Sequence, residues 1–248
     1  MGESIKRIVG PYQDSYSPNG IIGEKDACGV GFIANIKGVE SNWILKQSLK
    51  GLNCMEHRGG CGGDSDSGDG AGILCSIPWE YLEEKMNLKN TKESNRGLGM
   101  IFMPNKKEKI EECKSICEEE AKKLRINKTS WRTVPVNNEI LGPLAKANAP
   151  FISQWILFIN KKDNDDIEKI LFQLRKRIEK KVRESFKNHV GDCEFYFASL
   201  SSKTVVYKGM VRSEILSEFY KDLKEESFKV SFSVYHRRFS TNTLPKWP

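Results

Sequence analysis

Short apolar runs typical of β-strands recur along this sequence, and amphipathic helical segments separate them. The strand-like runs fall at residues 30–36, 72–77, 96–103, 154–159, 194–201, 204–210 and 228–240. Helices are predicted over residues 41–55, 106–125 and 165–187, with a short helix begun by Pro78 and another begun at Ser213. Several strands, pairs of which could be hairpins, mixed with a few amphipathic helices predict an α+β or layered sandwich fold.

The composition is that of a soluble globular protein, with 38% hydrophobic and 29% charged residues in 248. The net charge of +7 could indicate a nucleic-acid partner. However, basic and acidic residues alternate in "KKEKIEECKSICEEEAKK" and "KKDNDDIEK", which favours a solvated surface and argues against nucleic acid. No apolar run approaches the roughly 18 residues of a membrane span. Seven cysteines without a secretory signal indicate reduced thiols in a cytosol-like compartment.

Cys28 follows a polar segment, residues 1–27, that shows no periodicity and is predicted to be an extension outside the core. One interpretation is a structural cysteine. The alternative is a nucleophile, because cleavage after Ala27 would leave a free α-amine on the residue that carries the thiol. An α-amine titrates at about 7.7–8.0, so it can accept the thiol proton and later protonate a leaving amine. Gly29 and Gly31 would leave room for a ligand beside the sulfur.

The segment "CMEHRGGCGGDSDSGDGAGI", residues 54–73, is rich in glycine and aspartate. A phosphate loop would need a Gly-Lys-Ser/Thr ending, and the aspartates would repel phosphate. A calcium loop would need a closing Glu, which is lacking. Cys54, Cys61 and Cys75 match no standard zinc spacing. Cys113 and Cys117 lie four apart on the apolar face of a predicted helix, where packing is the expected role.

The segment "VYHRRFSTNT", residues 234–243, ends a strand-like run with Arg237 and Arg238 and enters a polar loop. An arginine at such a position can bind a substrate carboxylate through two hydrogen bonds. A pair of surface arginines is the alternative. The motif alone leaves both interpretations open.

Together, "DACGVGFIA", "LNCMEHRGGCGGDSDSGDGAGI", "FYFASLSSKTVVYKGM" and "YHRRFSTNTLPKWP" closely resemble the N-terminal glutaminase domain of the glutamate synthases, which are class II glutamine amidotransferases. "RTVPVN" and "LGPLAKANAPFISQ" resemble the same domain, so the resemblance runs from about Gly10 to Pro248. It implies an N-terminal-nucleophile hydrolase fold, a four-layer αββα sandwich. Residues 1–27 would be an extension or propeptide, and residues 28–248 the N-terminal part of the domain.

The resemblance also implies roles for individual residues. Cys28 matches the nucleophile, and Arg238 matches the arginine that binds the α-carboxylate of glutamine. Arg58 and Gly59 match a turn beside the active site and would have a positioning role, although a structural turn explains them almost as well. The implied reaction converts L-glutamine to glutamate and ammonia through a thioester on Cys28, without a metal.

The parent enzymes suggest further partners. In them the ammonia passes to a second centre, where 2-oxoglutarate is converted to glutamate with FMN and an iron–sulfur cluster. We expect neither cofactor in this segment. The expected partners are L-glutamine and the remainder of such an enzyme, with its central and FMN-binding domains. Ferredoxin is favoured over a pyridine nucleotide as the electron donor. The expected compartment is a bacterial cytoplasm or the plastid stroma.

Activity of the 248 residues alone is expected to be low. In the family, the Asn-Gly segment of the oxyanion hole and the Asp that binds the substrate amine follow the "STNT" segment, and we expect them beyond Pro248. Removing one oxyanion donor can cost about 10²–10³ in turnover. We therefore expect little or no glutaminase activity from this chain alone and a fold that is incomplete at the C-terminus, with an open sheet edge or core face.

Two alternatives come from other classes of protein. A papain-like hydrolase would pair Cys28 with His57, His189 or His236 and would keep the extension attached. A non-catalytic domain would bind an amino acid or a partner through Arg238 and the glycine-rich loop.

Overall fold

A computed structural model describes residues 29–55, 67–68, 70–88, 95–159, 166–186, 195–237 and 246–247. Within these ranges, eight strands form two antiparallel four-stranded sheets. The strands are β1 (Gly29–Ala34), β2 (Ala71–Ser76), β3 (Arg96–Met103), β4 (Lys128–Thr133), β5 (Phe151–Phe158), β6 (Tyr196–Ser201), β7 (Thr204–Gly209) and β8 (Phe232–Arg237). The α-helices are α1 (Asn42–Asn53), α2 (Trp79–Lys85), α3 (Lys107–Lys123), α4 (Pro143–Ala147), α5 (Ile167–Ser185) and α6 (Leu216–Phe219). The predicted α+β class is confirmed.

The two sheets differ in how they are covered. The first sheet has the strand order β1-β8-β2-β7, and the second has the order β4-β5-β3-β6. Between them lies one apolar core, to which the first sheet contributes Ile73 and Tyr207 and the second contributes Phe102 and Ile156. A second core, centred on Trp155, fills the space between the other face of the second sheet and helices α3 and α5.

Helix α1 packs on the β1–β8 part of the first sheet. Its buried residues Ile44, Leu45 and Leu52 join the core between the sheets. Strand alternation sends the other side chains of β1 to the opposite face, where Val30 is 64% exposed and Phe32 is 75% exposed. Within the described residues, the second sheet is therefore covered on both faces and the first on one.

The two long helices were predicted correctly. Helix α3 buries Cys113 and Cys117 in the second core, which confirms their packing role. Helix α5 buries Leu171, Leu174 and Ile178 at the predicted spacing. The Asp166 carboxylate begins α5 by accepting hydrogen bonds from two free backbone N–H groups of the first turn.

Other expectations need correction. The helix predicted from Ser213 is divided into a 3-10 turn (Ser213–Ile215), the four-residue α6 and a second 3-10 turn (Lys221–Lys224). The reason is Tyr220, whose extended backbone pairs with Val136 in an isolated β-bridge and ends the helix. The strand predicted over residues 228–240 begins only at Phe232 in the structure.

Strands β6 and β7 are separated by Ser202 and Lys203 alone, the spacing of a tight hairpin, yet they belong to different sheets. The Glu168 carboxylate of α5 holds this crossing by accepting hydrogen bonds from the Ser202 N–H (2.6 Å) and from the hydroxyls of Ser201 (3.1 Å) and Ser202 (2.6 Å). A hairpin is therefore excluded at this point of the chain.

Candidate active site

Four residues, one from each strand and paired in direct register, lie in a row across one end of the first sheet. Gly29 begins β1 and pairs with Arg237, the last residue of β8. Arg237 also pairs with Ala71, which begins β2, and Ala71 pairs with Gly209 at the end of β7. The row Gly29–Arg237–Ala71–Gly209 thus crosses all four strands, and we call it the edge row.

The residues predicted to do the chemistry adjoin the edge row in the sequence. Cys28 directly precedes it on β1, and Arg238 directly follows it on β8. Arg58 and Gly59 belong to residues 56–66, in the connection from α1 to β2. All four predicted residues lie outside the described part of the chain. The structure does show the elements next to them in the sequence: the start of β1, the end of β8 and the end of α1.

Side chains of the protein occupy the space beside the two glycines that follow Cys28. A Cβ on Gly29 would lie 2.6 Å from the Met55 sulfur, and a Cβ on Gly31 would lie 2.5 Å from the Tyr235 ring. The sequence predicted that both glycines leave room for a ligand beside the sulfur. In the structure their immediate neighbours are these two side chains, which lock β1 to the end of α1 and to β8.

Arg237 is a buried cation in the edge row, with 4% of its surface exposed. Its guanidinium group donates a hydrogen bond to the Ser213 hydroxyl and lies 3.7 Å from the Glu214 carboxylate. Its Nε is buried, and no described group accepts a hydrogen bond from it. This arrangement fixes the end of β8, from which Arg238 continues.

His236 lies on the other face of the first sheet. It pairs in register with Val30 and Gly72, and strand alternation directs it away from Tyr235 and Arg237. Partial burial lowers its pKa from the ordinary 6.5. The other two histidines of the sequence are outside the described residues.

Neither a membrane span nor a metal centre emerges from the described ranges. No helix there has the length and apolar character needed to cross a bilayer. No three His, Cys, Asp or Glu side chains of that part of the chain are grouped as metal ligands. Cys54 is exposed just after α1, whereas Cys75 is buried in β2, where burial raises the pKa of its thiol.

Sequence reasoning missed the supporting role of Met55, Tyr235 and Arg237. One signal was available: in "VSFSVYHRRF" the alternation of a strand puts Tyr235 and Arg237 on the same face. The contact between Met55 and Gly29 had no such signal, because it depends on how α1 lies across the sheet.

Comparison with known proteins identifies the class of protein. Residues 28–248 match the class II glutamine amidotransferases, and the chain belongs to that family. The family match favours the amidotransferase over the papain-like alternative. It begins at Cys28, the predicted nucleophile.

The relatives that the chain matches are ferredoxin-dependent glutamate synthases. The chain is 45% identical to the chloroplastic ferredoxin-dependent glutamate synthase of Oryza sativa subsp. japonica, over 96% of this chain and 15% of that protein. It is 46% identical to ferredoxin-dependent glutamate synthase 1 of Arabidopsis thaliana, over 92% of this chain and 14% of that protein. Against ferredoxin-dependent glutamate synthase 2 of Synechocystis sp. the values are 45%, 92% and 14%. The chain thus spans about 15% of the length of these relatives.

Proposed function

We propose that this chain carries the glutaminase site of a ferredoxin-dependent glutamate synthase, with Cys28 as the nucleophile. The thiolate adds to the side-chain amide carbon of L-glutamine. The resulting oxyanion collapses, the carbon–nitrogen bond breaks, and the ammonium form of the α-amine protonates the departing amide nitrogen, which leaves as ammonia. Water then hydrolyses the thioester, which releases glutamate and regenerates the thiol.

The pairing of Gly29 with Arg237 is the observation that carries this proposal. Adjacent Cα atoms are about 3.8 Å apart, and directly paired Cα atoms in an antiparallel ladder are about 5 Å apart. The Cα atoms of Cys28 and Arg238 are therefore within about 13 Å of each other. A glutamine with its amide at the thiol and its carboxylate at a long arginine side chain fits this separation, and the guanidinium group can bind the carboxylate through two hydrogen bonds.

Arg58 and Gly59 are proposed to position the substrate from the segment that follows α1. Met55 lies against Gly29, so α1 ends beside the first residue after the nucleophile. Arg58 is three residues further along the chain. This closeness supports a role in the site beyond that of a distant turn.

Residues 1–27 are proposed to be removed, so that Cys28 becomes the N-terminus of a domain over residues 28–248. The α-amine then acts as the base that a papain-like enzyme would take from a histidine. Two observations support this assignment: the family match begins at Cys28, and His236 is directed to the face opposite Arg237.

The fourth layer of the sandwich is proposed to cover the exposed face of the first sheet. This face presents a row of apolar side chains, each exposed or half-exposed: Val30, Phe32, Leu74, Val206, Phe232 and Val234. Apolar surface of this kind gains free energy when it is covered. A helix layer on this face would complete the αββα arrangement that α3 and α5 begin on the second sheet.

The remainder of such an enzyme is proposed to use the ammonia to make glutamate from 2-oxoglutarate with FMN and an iron–sulfur cluster. Such a cluster is usually held by cysteine thiolates gathered at one site. We propose that the cluster lies in the remainder of the enzyme. Ferredoxin as electron donor and a plastid or bacterial location are proposed from the names and sources of the relatives.

The decisive experiment replaces the nucleophile in the full-length gene product. We expect Cys28→Ala to abolish glutamine hydrolysis, a loss of at least about 10⁴-fold, while the protein stays folded. Cys54→Ala, which removes an exposed thiol just after α1, is the control and should keep full activity. Intact mass spectrometry should show the wild-type chain beginning at Cys28.

Other outcomes would support the alternatives. Activity that persists in Cys28→Ala would overturn the assignment of the nucleophile. Full activity with residues 1–27 attached would favour a papain-like enzyme. Glutamine binding that is unchanged in Cys28→Ala, together with no hydrolysis by the wild type, would favour a non-catalytic binding domain.

A further inference from the structure

We infer that Ser67 and Trp247 are positioning residues for the glutaminase site and act through the backbone of one shared residue, Ala145. This inference rests on the proposed function. Ser67 directly follows residues 56–66, which contain Arg58 and Gly59, and Trp247 follows the segment that contains Arg238.

Helix α4 is too short to satisfy its own backbone. The first four N–H groups and the last four carbonyls of any α-helix lack partners within the helix. In the five residues of α4, both polar groups of Ala145 fall into these classes. Ala145 is 0% exposed, so water does not supply the missing partners.

Ser67 and Trp247 supply those partners from the two segments. The Ser67 hydroxyl accepts a 3.1 Å hydrogen bond from the Ala145 N–H. The Trp247 indole N–H donates a 2.9 Å hydrogen bond to the Ala145 carbonyl. Both side chains are buried, Ser67 at 0% and Trp247 at 1% exposure. The backbone of Ala145 thus connects Ser67 and Trp247, the two described residues that follow these segments in the sequence.

Trp247 packs tightly against apolar residues of the core. Its ring meets Phe102 edge to face at a centroid distance of 6.2 Å and lies 5.5 Å from the Phe219 ring. Gly209 of the edge row leaves room for the indole, because a Cβ there would lie 2.9 Å from the ring. Arg237 and Trp247 therefore fix the chain on both sides of Arg238.

The consequence for catalysis is specific. Cys28 is attached to β1, which neither Ser67 nor Trp247 contacts through a described hydrogen bond. The carboxylate-binding Arg238 and the positioning pair Arg58 and Gly59 depend on the anchored segments. Small displacements of substrate-binding groups weaken binding and orientation steeply. Loss of either anchor should therefore raise KM for glutamine more than it lowers kcat.

The test uses Ser67→Ala and Trp247→Phe in the full-length gene product. We expect each to raise KM for glutamine about tenfold while kcat changes less than about threefold. Since both variants remove a hydrogen-bond partner from the backbone of Ala145, the double variant should raise KM by less than the product of the single effects. Hydrogen exchange should rise in residues 238–246 of Ser67→Ala and in residues 56–66 of Trp247→Phe.

Matched controls remove the same chemical groups elsewhere. In Trp131→Phe an indole N–H that donates to Glu118 (2.7 Å) on the far side of the second sheet is lost. In Ser199→Ala a buried hydroxyl that accepts from the Val206 N–H (3.1 Å) is lost. Both controls should lower the melting temperature without changing KM. Gly209→Ala displaces the Trp247 ring by steric contact and should reproduce the KM effect if Trp247→Phe does not fold.

Some outcomes would overturn the inference. One is a KM in Ser67→Ala and Trp247→Phe that matches the controls at equal loss of thermal stability. Another is hydrogen exchange that rises only in the segment next to each substitution. Failure of the proposed function is distinct: it would appear as activity in Cys28→Ala, and the exchange measurement would still decide whether the two segments are coupled.

Discussion

The two sheets have the same number of strands, but they differ in how far they are buried and in how close they lie to the predicted site residues in the sequence. The second sheet is closed on both faces, by the inter-sheet core and by α3 and α5, and β3 and β5 are buried along almost their whole length. The first sheet has one face exposed within the described residues. Each predicted catalytic or substrate-binding residue either is next to one of its strands in the sequence or belongs to the connection that leads into β2. The sheet without the site is therefore the more completely buried of the two.

A buried polar cluster joins β4 and β5 of the second sheet to β7 of the first. Asp222, at 0% exposure, accepts two 2.7 Å hydrogen bonds from Arg132 of β4 and one each from the hydroxyls of Tyr81 (2.8 Å) and Tyr207 (3.0 Å). Gln154 of β5 accepts from Arg132 (2.7 Å) and donates to the Tyr207 hydroxyl (2.9 Å). Burial, reinforced by the Asp222 charge, raises the pKa of both tyrosines, so they remain neutral donors.

The largest effect on stability should come from breaking this cluster. Asp222→Asn leaves the Arg132 charge buried without its partner, and we expect a loss of about 3–5 kcal/mol in the free energy of unfolding. Urea denaturation followed by tryptophan fluorescence measures it. Glu226→Gln, which breaks an ion pair with Lys46 between groups 53% and 78% exposed, is the control and should have little effect. Equal effects of the two variants would show that the cluster does not hold the sheets together.

A smaller loss of stability is expected from adding a methyl group to a glycine of the first sheet, and almost none from the same change in the second sheet. Gly31→Ala forces a Cβ to within 2.5 Å of the Tyr235 ring, which lies between Gly31 and Gly51, and we expect a loss of about 1–3 kcal/mol. Gly99→Ala in β3 of the second sheet is the matched control, because its Cβ would meet nothing closer than 3.4 Å. Tyr235→Leu should recover part of the loss in the double variant. An equal cost for the two glycine substitutions would mean that Tyr235 can move aside.

The sequence predicted local structure well and long-range pairing poorly. The periodicity of α5 and the apolar run of β3 were sufficient, because both elements bury residues in a regular pattern. Strand β4, "KTSWRT", was missed, since it is mostly half-exposed and largely polar. The crossing between β6 and β7 was also beyond pattern reasoning, because the sheet to which a strand belongs is decided by tertiary packing.

The candidate site divides in the same way. Cys28 and Arg238 could be predicted as nucleophile and carboxylate-binding residue from motifs that resemble a known family. The pairing of Gly29 with Arg237 could not, because β1 and β8 stand near opposite ends of the described chain and only the assembled sheet brings them together. The anchors Ser67 and Trp247 had no sequence signal, since their shared partner is the backbone of one residue, Ala145.

The smallest effect concerns His236, on the exposed face of the first sheet. Partial burial lowers its pKa in the folded state below the ordinary 6.5, so the folded protein favours the neutral imidazole. Between the two pKa values the unfolded chain binds more protons, and the free energy of unfolding therefore falls as the pH decreases below about 6.5. His236→Gln should remove this part of the pH dependence, leaving the two proteins closest in slope above pH 7. The measurement is the difference in urea stability between wild type and variant at several pH values from 5.5 to 8. A constant difference would show that folding leaves the pKa of His236 unchanged. A difference that favours the wild type more strongly at low pH would show that folding raises this pKa.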